Sequence, residues 1–545
     1  MMTNLRLLLV ILLIFTVSCN DNFLERKPLD SMSEEDVWID PNLIEFYVNN
    51  TYAAMINGFT NGTPAYVGFY MALCDEAYRR GNQGAIYETL LQGQLTPSNM
   101  APLNLWPYYY AVITNCNIFL ENMADKEFNT QVQPRTNRMK GEMKFLRAYA
   151  YSKLISLYGG VPLITKPFRL DDDFLIPRNS YDDCVEFIVN ELNEAAALLS
   201  ISYSGTDIGR ATRGAALAIK SRVLLYAASQ LNNPNNDRGK WQQAADAAKA
   251  VIDMGVYDLY PSYKETFTVP YNSEVIWVRP FNNRARVEHS LEQWFYPNGS
   301  TGYGQIHPTH NATEFFEMKE TGLLPKDDPA YNPENPYADR DPRFYDCILF
   351  DGAPWQDREI ETFLPGGLDS NEGPEGWNAT LTGYYPRKFV DESIWRPTAN
   401  NCSNTHWVYI RYGEILLNYA EAMYYLGNED ECRKYLNLIR DRLSVQMPHI
   451  TDSGSQLELR VRNERYVELF FEEHRFFDVR RWRIATQTEN IPAFMADIRK
   501  DPDTGEKTYN FVSFQERIFL EHNYVAPIPQ GEIDKNPNLK QNTGY

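Results

Sequence analysis

The sequence predicts a mostly α-helical protein, in which helix pairs of the tetratricopeptide kind form an array that a large, irregular, loop-rich insertion interrupts. Apolar residues recur at three- and four-residue steps over most of the chain, and glycines follow several of these stretches. The insertion is predicted because residues 261–404 are dense in Pro, Gly, Asn and aromatic residues and have little helical period. A consensus repeat of about 34 residues is not evident, so periodicity alone predicts a helical, repeat-like chain.

The composition is that of a folded, acidic protein. The chain has 545 residues, with 52 basic and 72 acidic side chains and a formal charge of −20. This charge argues against nucleic acid or an anionic membrane surface as a partner, because both attract a basic face. Aromatic residues make up 14% of the chain, which is more than a core usually requires, and so some rings are candidates for a ligand surface.

The N-terminus has the pattern of a secretory signal followed by a lipidation site. Arg6 precedes an apolar run, residues 7–17, that is too short to span a bilayer, which needs about 20 residues. The next residues end in Ser18-Cys19 and resemble the bacterial lipobox. We therefore expect residues 1–18 to be a signal peptide, Cys19 to be lipidated, and residues 19–40 to form a tether. The alternative is an ordinary cleaved signal with an incidental cysteine.

Helical stretches fill residues 41–260, the expected N-terminal helical-repeat part. The first opens at Asp40-Pro41, where the acid can cap the helix and proline suits its first turn, and it repeats Leu43, Phe46 and Tyr47. A later stretch stops at Gly159-Gly160. Further helices are expected near 109–120, 143–158, 181–199, 211–230 and 241–252.

Helical period returns after the insertion, in the expected C-terminal helical part, residues 405–545. One helix is expected from Tyr412 to Leu426 and a second through Leu436, Ile439 and Leu443. A third is expected over about 457–479. We expect these three parts to form one integrated globular body.

Metal and cofactor signals are weak. The chain contains no CxxC motif, and its cysteines after Cys19 are far apart, so we expect single buried thiols. Because these cysteines are even in number, disulfides remain an alternative. His307 and His310 are three apart without an obvious third ligand, and the run from Asp501 to Gly505 predicts a tight turn rather than a calcium loop. We therefore predict no metal site and no cofactor.

A charged segment in the C-terminal part allows two interpretations. Glu464, Glu468 and Glu472 share one helix face at four-residue steps. As catalytic groups they would be general acids. As structural groups they would pair with arginines between helices, and this second interpretation is favoured because no pocket signature accompanies them. No catalytic residue is therefore predicted. Residues 171–173, three successive aspartates, are expected to form a solvated loop.

Several segments, in order along the chain, resemble the SusD/RagB family of outer-membrane nutrient-binding lipoproteins. They begin after the lipobox and end at the C-terminus: Asn22-Phe23-Leu24-Glu25-Arg26-Lys27-Pro28, Phe145-Leu146-Arg147-Ala148-Tyr149, residues 157–163, residues 210–216, Arg411-Tyr412-Gly413-Glu414 and onward to residue 422, Asn463-Glu464-Arg465, Arg480-Arg481-Trp482 and residues 536–545. One such segment would be weak evidence for the family, but all of them together, in this order, are specific to it.

The resemblance implies a fold, a partner and a cargo. The fold is about four helix pairs of tetratricopeptide type, with an irregular ligand-binding segment before the last helices. The partner is a SusC-like, TonB-dependent β-barrel in the outer membrane, over which the lipoprotein sits as a lid. The cargo in the family is most often an oligosaccharide and occasionally a peptide. No catalysis is implied, and the protein would be surface-exposed and held by its lipid.

Sugar recognition asks for flat aromatic rings and for polar groups that reach hydroxyls. Two segments, residues 75–83 and 294–304, offer this mixture, and in the family they face each other across a shallow site. Two further tryptophans stand in loops rich in Gly and Pro. The candidate ligand residues are Asp75, Tyr78, Arg79, Arg80, Asn82, Trp294, Tyr296, Tyr303, Trp355 and Trp377. The guanidinium of Arg79 would suit vicinal hydroxyls or a carboxylate.

Three alternatives stay open at this point. A surface-anchored, glycan-degrading enzyme would need two carboxylates about 5 to 10 Å apart beside the aromatic residues. A peptide-binding uptake lipoprotein would keep the same transport role with another cargo. A helical scaffold for neighbouring surface proteins would need no small ligand at all.

Overall fold

The computed structural model describes residues 37–59, 70–80, 84–282, 289–398 and 401–545. The expected signal peptide, the tether as far as residue 36, Cys19 and Asn82 lie outside these residues. Within them the helices are α1 (Pro41–Ala53), α2 (Gly84–Leu91), α3 (Trp106–Asn122), α4 (Gln133–Tyr158), α5 (Tyr181–Leu198), α6 (Arg213–Ala228), α7 (Arg238–Ile252), α8 (Glu265–Thr268), α9 (Leu291–Phe295), α10 (His310–Thr313), α11 (Pro342–Cys347), α12 (Tyr412–Tyr425), α13 (Glu429–Arg440), α14 (Gly454–Glu468), α15 (Arg475–Arg481), α16 (Ala485–Thr488) and α17 (Gln530–Lys535).

The long helices stack in one continuous array. Each helix packs against the next in the order α3, α4, α5, α6, α7, α12 and α13, and α14 closes the array against α12 and α13. These eight helices make four consecutive pairs around a shared apolar core. The prediction of a mostly α-helical array of paired helices is confirmed.

Local signals set several helix ends where the sequence predicts them. Asp40 accepts a hydrogen bond from the backbone of Asn42 at the start of α1, and α4 ends at Gly159, whose φ is +72°. The buried face of α1 differs from the predicted one. Ile44 and Val48 are buried, whereas Phe46 is 73% exposed. The helix therefore buries a different face from the one that the sequence pattern predicts.

The insertion leaves and re-enters the helical array at one place. Helix α7 packs directly against α12, although the insertion separates them in sequence. Strand β2 (Val275–Arg279), near the start of the insertion, pairs antiparallel with β8 (Trp407–Arg411), which leads into α12. This two-stranded sheet closes the base of the insertion.

The other strands in the described ranges are short or lie outside the helical array. They are β1 (Ala77–Arg79), β3 (Ile306–Pro308), β4 (Ile348–Leu349), β5 (Pro354–Trp355), β6 (Arg358–Glu359), β7 (Tyr385–Pro386), β9 (Ala493–Lys500) and β10 (Lys507–Gln515).

The helix predicted over 457–479 is two helices. It ends at Glu468, and residues with positive φ, Phe471 at +63° and Glu473 at +65°, separate it from α15. A helix cannot continue through this left-handed backbone. The break turns the chain so that Glu468 and Glu472 both reach the guanidinium of Arg411.

The glutamates on this segment form the predicted ion network rather than an acid pair for catalysis. Glu464 contacts Arg343 and Arg440, and Glu468 contacts Arg343, Arg411 and Arg442, all of them buried. These arginines hold the pKa of both carboxyl groups below the ordinary value, against the opposing effect of burial. The network joins α14 to the insertion, to β8 and to α13.

Cysteine and turn predictions also hold. None of the six cysteines in the described ranges forms a disulfide, and all six are buried. The Asp501 side chain accepts hydrogen bonds of 2.8 Å from the backbone of Asp503 and Thr504, which makes the predicted tight turn between β9 and β10. Within those ranges, no helix has both the length and the apolar character that a membrane span requires.

Candidate functional site

Strand pairing brings the two predicted ligand segments together. Strands β1 and β3 are antiparallel, with Tyr78 opposite His307 and Arg79 opposite Ile306. The pairing continues past the strand, since the backbone N–H of Arg80 donates to the carbonyl oxygen of Gln305 at 2.9 Å. The segment that begins at Asp75 therefore lies beside the end of the segment that begins at Trp294.

The second segment folds back on itself to place two rings together. The Tyr303 N–H donates to the carbonyl of Gln293 at 2.7 Å, and the Gln305 N–H donates to the carbonyl of Trp294 at 2.9 Å. Gly302 permits this close approach, because a Cβ there would lie 2.1 Å from the carbonyl oxygen of Tyr296. As a result the rings of Trp294 and Tyr303 meet edge to face, with centroids 5.5 Å apart.

Trp377 adds a third ring from a distant part of the insertion. It lies in a short 3₁₀ turn, is 67% exposed, and its ring centroid is 6.1 Å from that of Tyr303. Its indole N–H donates to the carboxylate of Glu375 at 2.8 Å, which fixes the orientation of the ring. We call these three residues, Trp294, Tyr303 and Trp377, the aromatic platform.

Two polar groups stand on or just after β1, the strand that lies beside the segment with two of the platform rings. Arg80 is partly exposed, and its guanidinium donates to the carbonyl oxygen of Ala379, two residues after Trp377. Tyr78 is also partly exposed, and its ring meets the edge of Phe514 at 5.3 Å. Partial burial raises the pKa of the Tyr78 hydroxyl, which therefore stays protonated and able to donate.

Four predicted ligand residues are buried and are reassigned to packing. Asp75 pairs with Arg475 through bonds of 2.6 and 2.9 Å, and Arg79 is 4% exposed with its guanidinium 5.4 Å from the Tyr87 ring. A ligand on the surface cannot reach these side chains.

The other two of these four are aromatic residues behind the platform. The Tyr296 hydroxyl donates to the carbonyl of Asp391 at 2.6 Å, and the Trp355 indole N–H donates to Ser300 Oγ at 3.0 Å. Both rings are almost completely buried, and they contact each other edge to face at 4.7 Å. They support the loop from beneath and do not line the surface.

The two histidines of this region are structural groups. Burial lowers the pKa of both to about 3, so both rings are neutral. His307 contacts the carbonyl of Gly304 and accepts from the N–H of Leu381, while His310 stacks on Phe511 with centroids 3.6 Å apart. Within the described ranges no cluster of three or more potential ligands could hold a metal ion.

Sequence reasoning missed two parts of the site. Glu375 orients Trp377, and the only signal for it is an acid two residues before an aromatic residue in a glycine-rich loop. The carbonyl of Ala379, which binds Arg80, is a backbone atom and leaves no signal in the sequence. Chemically, the platform offers ring faces, a guanidinium and a phenol, which suit binding of a polyhydroxylated ligand.

Two family models match most of the chain. One is described as the SusD family and matches residues 273–545, and the other is described as starch-binding associating with outer membrane and matches residues 22–225. Among its relatives, SusD-like protein P25 of Formosa agariphila is 23% identical, with 99% of each chain covered. A SusD-like protein of Bacteroides ovatus is also 23% identical, covering 85% of this chain and 80% of its own.

Solved structures show the same fold. A SusD-like protein from Bacteroides fragilis superposes with a TM-score of 0.80 at 28% identity, covering 95% of this chain and all of that one. A SusD-like carbohydrate-binding protein from the same species gives a TM-score of 0.79 at 25% identity, with 92% and 100% covered. A laminarin-binding SusD-like protein gives 0.66 at 21% identity, with 94% and 100% covered.

Proposed function

Because the chain belongs to the SusD/RagB family, we propose that it binds an oligosaccharide at the cell surface and delivers it to a SusC-like, TonB-dependent transporter of the outer membrane. The observation that supports this most is the aromatic platform: three rings from two separate parts of the insertion, with Trp377 mostly exposed. A solved relative described as carbohydrate-binding has 25% identity over most of the chain, which agrees with a glycan as cargo.

The ring geometry suits a sugar chain rather than a single flat ligand. Trp294 and Tyr303 are nearly perpendicular at 77°, and Tyr303 and Trp377 are inclined at 47°. Successive pyranose units in an oligosaccharide turn relative to one another, so inclined rings can each stack on a different unit. Arg80 and Tyr78 can then donate to hydroxyl groups.

The proposed role is capture rather than catalysis. Glu375 stands beside the platform, and its carboxylate already accepts the indole N–H of Trp377. Weak binding at an open surface suits delivery, because the ligand has to dissociate quickly before it can be transported. The lipid on Cys19 would keep the insertion, residues 261–404, beside the transporter, and the proposed complex therefore depends on the anchor.

The direct test is binding of the full-length, detergent-purified protein to a panel of polysaccharides, measured by isothermal titration calorimetry. We expect one glycan class to bind, and Trp294→Ala or Trp377→Ala to weaken it about tenfold or more, which corresponds to about 1.4 kcal/mol per ring. The control is Phe46→Ala, which removes an equally exposed ring from α1 and should leave affinity unchanged.

Three results would contradict the proposal. If no glycan binds but peptides do, and the platform variants abolish that binding, the cargo is peptide. If the purified protein releases shorter sugars from a glycan, the protein is an enzyme. If cells producing Trp294→Ala or Trp377→Ala grow like wild type on every glycan, a scaffold role is favoured.

Delivery is tested separately, by co-purification of the transporter barrel with the lipoprotein. We expect the Cys19→Ala variant to recover much less barrel than the wild-type protein does.

A further inference from the structure

A cavity lined by none of the platform residues lies where helix α1 meets strand β2. Its volume is about 290 Å³, and Tyr52, Trp277, Arg279 and Tyr409 form part of its wall. A groove of about 170 Å³ adjoins it and shares Trp277. Since a water molecule occupies about 30 Å³ in the liquid, the larger cavity alone offers space for roughly ten waters, or one sugar ring.

Two hydrogen-bond donors in this wall have no acceptor among the residues that the structure describes. The indole N–H of Trp277 is unpartnered although the residue is only 2% exposed, and the Nε–H of Arg279 is buried and unpartnered too. Both groups can only donate. A buried donor without an acceptor is unfavourable, so a ligand that supplies acceptor atoms would satisfy both groups.

Arg279 also makes the cavity electropositive. In the part of the chain that the structure describes, its guanidinium donates to the carbonyl of Tyr52 at 3.2 Å and forms no ion pair. Arg210, the other cation in the wall, is neutralised by Glu45 and Asp207. None of the described residues that line the cavity or the groove is acidic, although the chain carries 72 acidic residues. An anionic ligand group is therefore favoured beside Arg279.

The rest of the lining suits a sugar ring. The Trp277 face is already covered by Tyr409, with centroids 4.2 Å apart, so Trp277 offers its N–H and not its face. Free ring surface comes from the adjoining groove, where Tyr203 and Tyr257 are partly exposed and Tyr271 is 44% exposed. Flat rings beside donor-only groups match the apolar face and the oxygen-rich rim of a pyranose.

We propose that this cavity is a second saccharide subsite, separate from the aromatic platform, that takes a sugar residue carrying a carboxylate or a sulfate group. Arg279 binds the anionic group and Trp277 donates to an oxygen of the same residue. A glycan with such residues would then contact the protein at two places.

The test is isothermal titration calorimetry of the full-length protein with three probes: glucuronic acid, glucose 6-sulfate and glucose. We expect at least one charged probe to bind at least tenfold more tightly than glucose. Comparison of the affinities for glucuronic acid and glucose 6-sulfate then identifies carboxylate or sulfate as the preferred group. Arg279→Gln should abolish this preference and Trp277→Phe should weaken binding, whereas Leu459→Ala, an exposed position on α14 outside both sites, should leave both unchanged.

Equal affinity for glucose and both charged probes, no binding of any probe, or full retention of the charge preference in Arg279→Gln would overturn the proposal. Tighter binding of an acidic dipeptide than of either charged sugar would also overturn it, because the pocket would then select a peptide. Arg279→Lys controls for misfolding of the Arg279→Gln variant. It keeps the positive charge and should retain part of the preference for the charged probes. The two proposals can fail separately. The platform is tested by polysaccharide binding in Trp294→Ala and Trp377→Ala, and this cavity is tested by the charge preference among the small probes in Arg279→Gln.

Discussion

Arg411 and Glu468 contact each other twice at the centre of the molecule. The Arg411 guanidinium donates to the Glu468 carboxylate at 2.7 Å and to the backbone carbonyl of the same residue at 2.7 Å. Arg411 ends the strand that closes the insertion, and Glu468 ends helix α14. This contact therefore fixes the loop-rich insertion to the last helices of the array, and with it the position of the aromatic platform.

Replacement of Glu468 by Gln should strongly destabilise the protein. Three arginines, Arg343, Arg411 and Arg442, share its carboxylate, and all are buried. Loss of one partner leaves buried cations uncompensated, which costs about 3–5 kcal/mol of unfolding free energy. Urea unfolding followed by circular dichroism measures the change.

The matched control is a single ion pair between a carboxylate and a cation at the surface. Asp253→Asn removes the exposed partner of Lys249 and should change the unfolding free energy by less than about 1 kcal/mol. A loss for Glu468→Gln no larger than that of Asp253→Asn would show that the buried network does not hold the insertion in place.

Gly413 sits where this network leaves no room for a side chain. A Cβ there would lie 2.4 Å from an Arg411 guanidinium nitrogen and 3.0 Å from the carboxylates of Glu274 and Glu468. Gly413→Ala should cost about 1–3 kcal/mol of unfolding free energy, because the surrounding ion pairs keep the arginine from moving aside. Gly531→Ala, in α17 with no atom within 4 Å of the new Cβ, should be neutral or slightly stabilising when both variants are measured by the same urea unfolding.

The sequence predicted the helical array well because its signals come from residues that build it. Motif residues such as Arg147 and Trp482 are buried connectors: Arg147 binds Glu191 at 2.8 Å, and the Trp482 indole donates to Glu421 at 2.7 Å. Helical period and stop signals such as Gly159 locate the elements themselves. The break after Glu468 was missed, because the left-handed residues there are Phe and Glu, which give no turn signal.

The ligand surface was predicted less well for a physical reason. Tyr296 and Trp377 stand in loops of similar composition, yet one is buried and the other is 67% exposed. Which ring faces solvent depends on long-range contacts, such as the Tyr296 hydroxyl bond to the Asp391 carbonyl at 2.6 Å, and local sequence does not report them. The expectation that residues 75–83 and 294–304 lie close together came only from the family resemblance, and the pairing of β1 with β3 was not predicted.

Two tryptophans that the sequence treated alike should behave differently when truncated. Trp355 is 1% exposed, so Trp355→Ala should leave a cavity and lower the unfolding free energy by about 3–5 kcal/mol. Trp377→Ala removes an exposed ring and should change stability by less than about 0.5 kcal/mol while weakening glycan binding. Chemical unfolding and calorimetry on the same preparations separate the two effects, and similar stability losses for both variants would refute the assignment.

Glu76, next to the site strand β1, should make stability fall as the pH rises. It is 1% exposed, and burial raises its pKa from 4.5 to about 8, although the Phe471 N–H donates to it at 3.1 Å. A carboxyl group whose pKa is raised on folding stabilises the protein fully below its unfolded pKa, and this contribution is lost as the pH rises towards the folded pKa. Between about pH 4.5 and 8 the loss is up to about 1.4 kcal/mol per pH unit.

Glu76→Gln should remove this dependence, because a glutamine can still accept from Phe471 but never ionises. Near pH 4 the variant and the wild type should unfold with similar free energies, since both side chains are then neutral. The variant should become progressively more stable than the wild type as the pH increases to 8. Urea unfolding at one-unit pH steps measures the difference, and a difference that stays constant or reverses sign over this range would mean that Glu76 is already ionised in the folded protein.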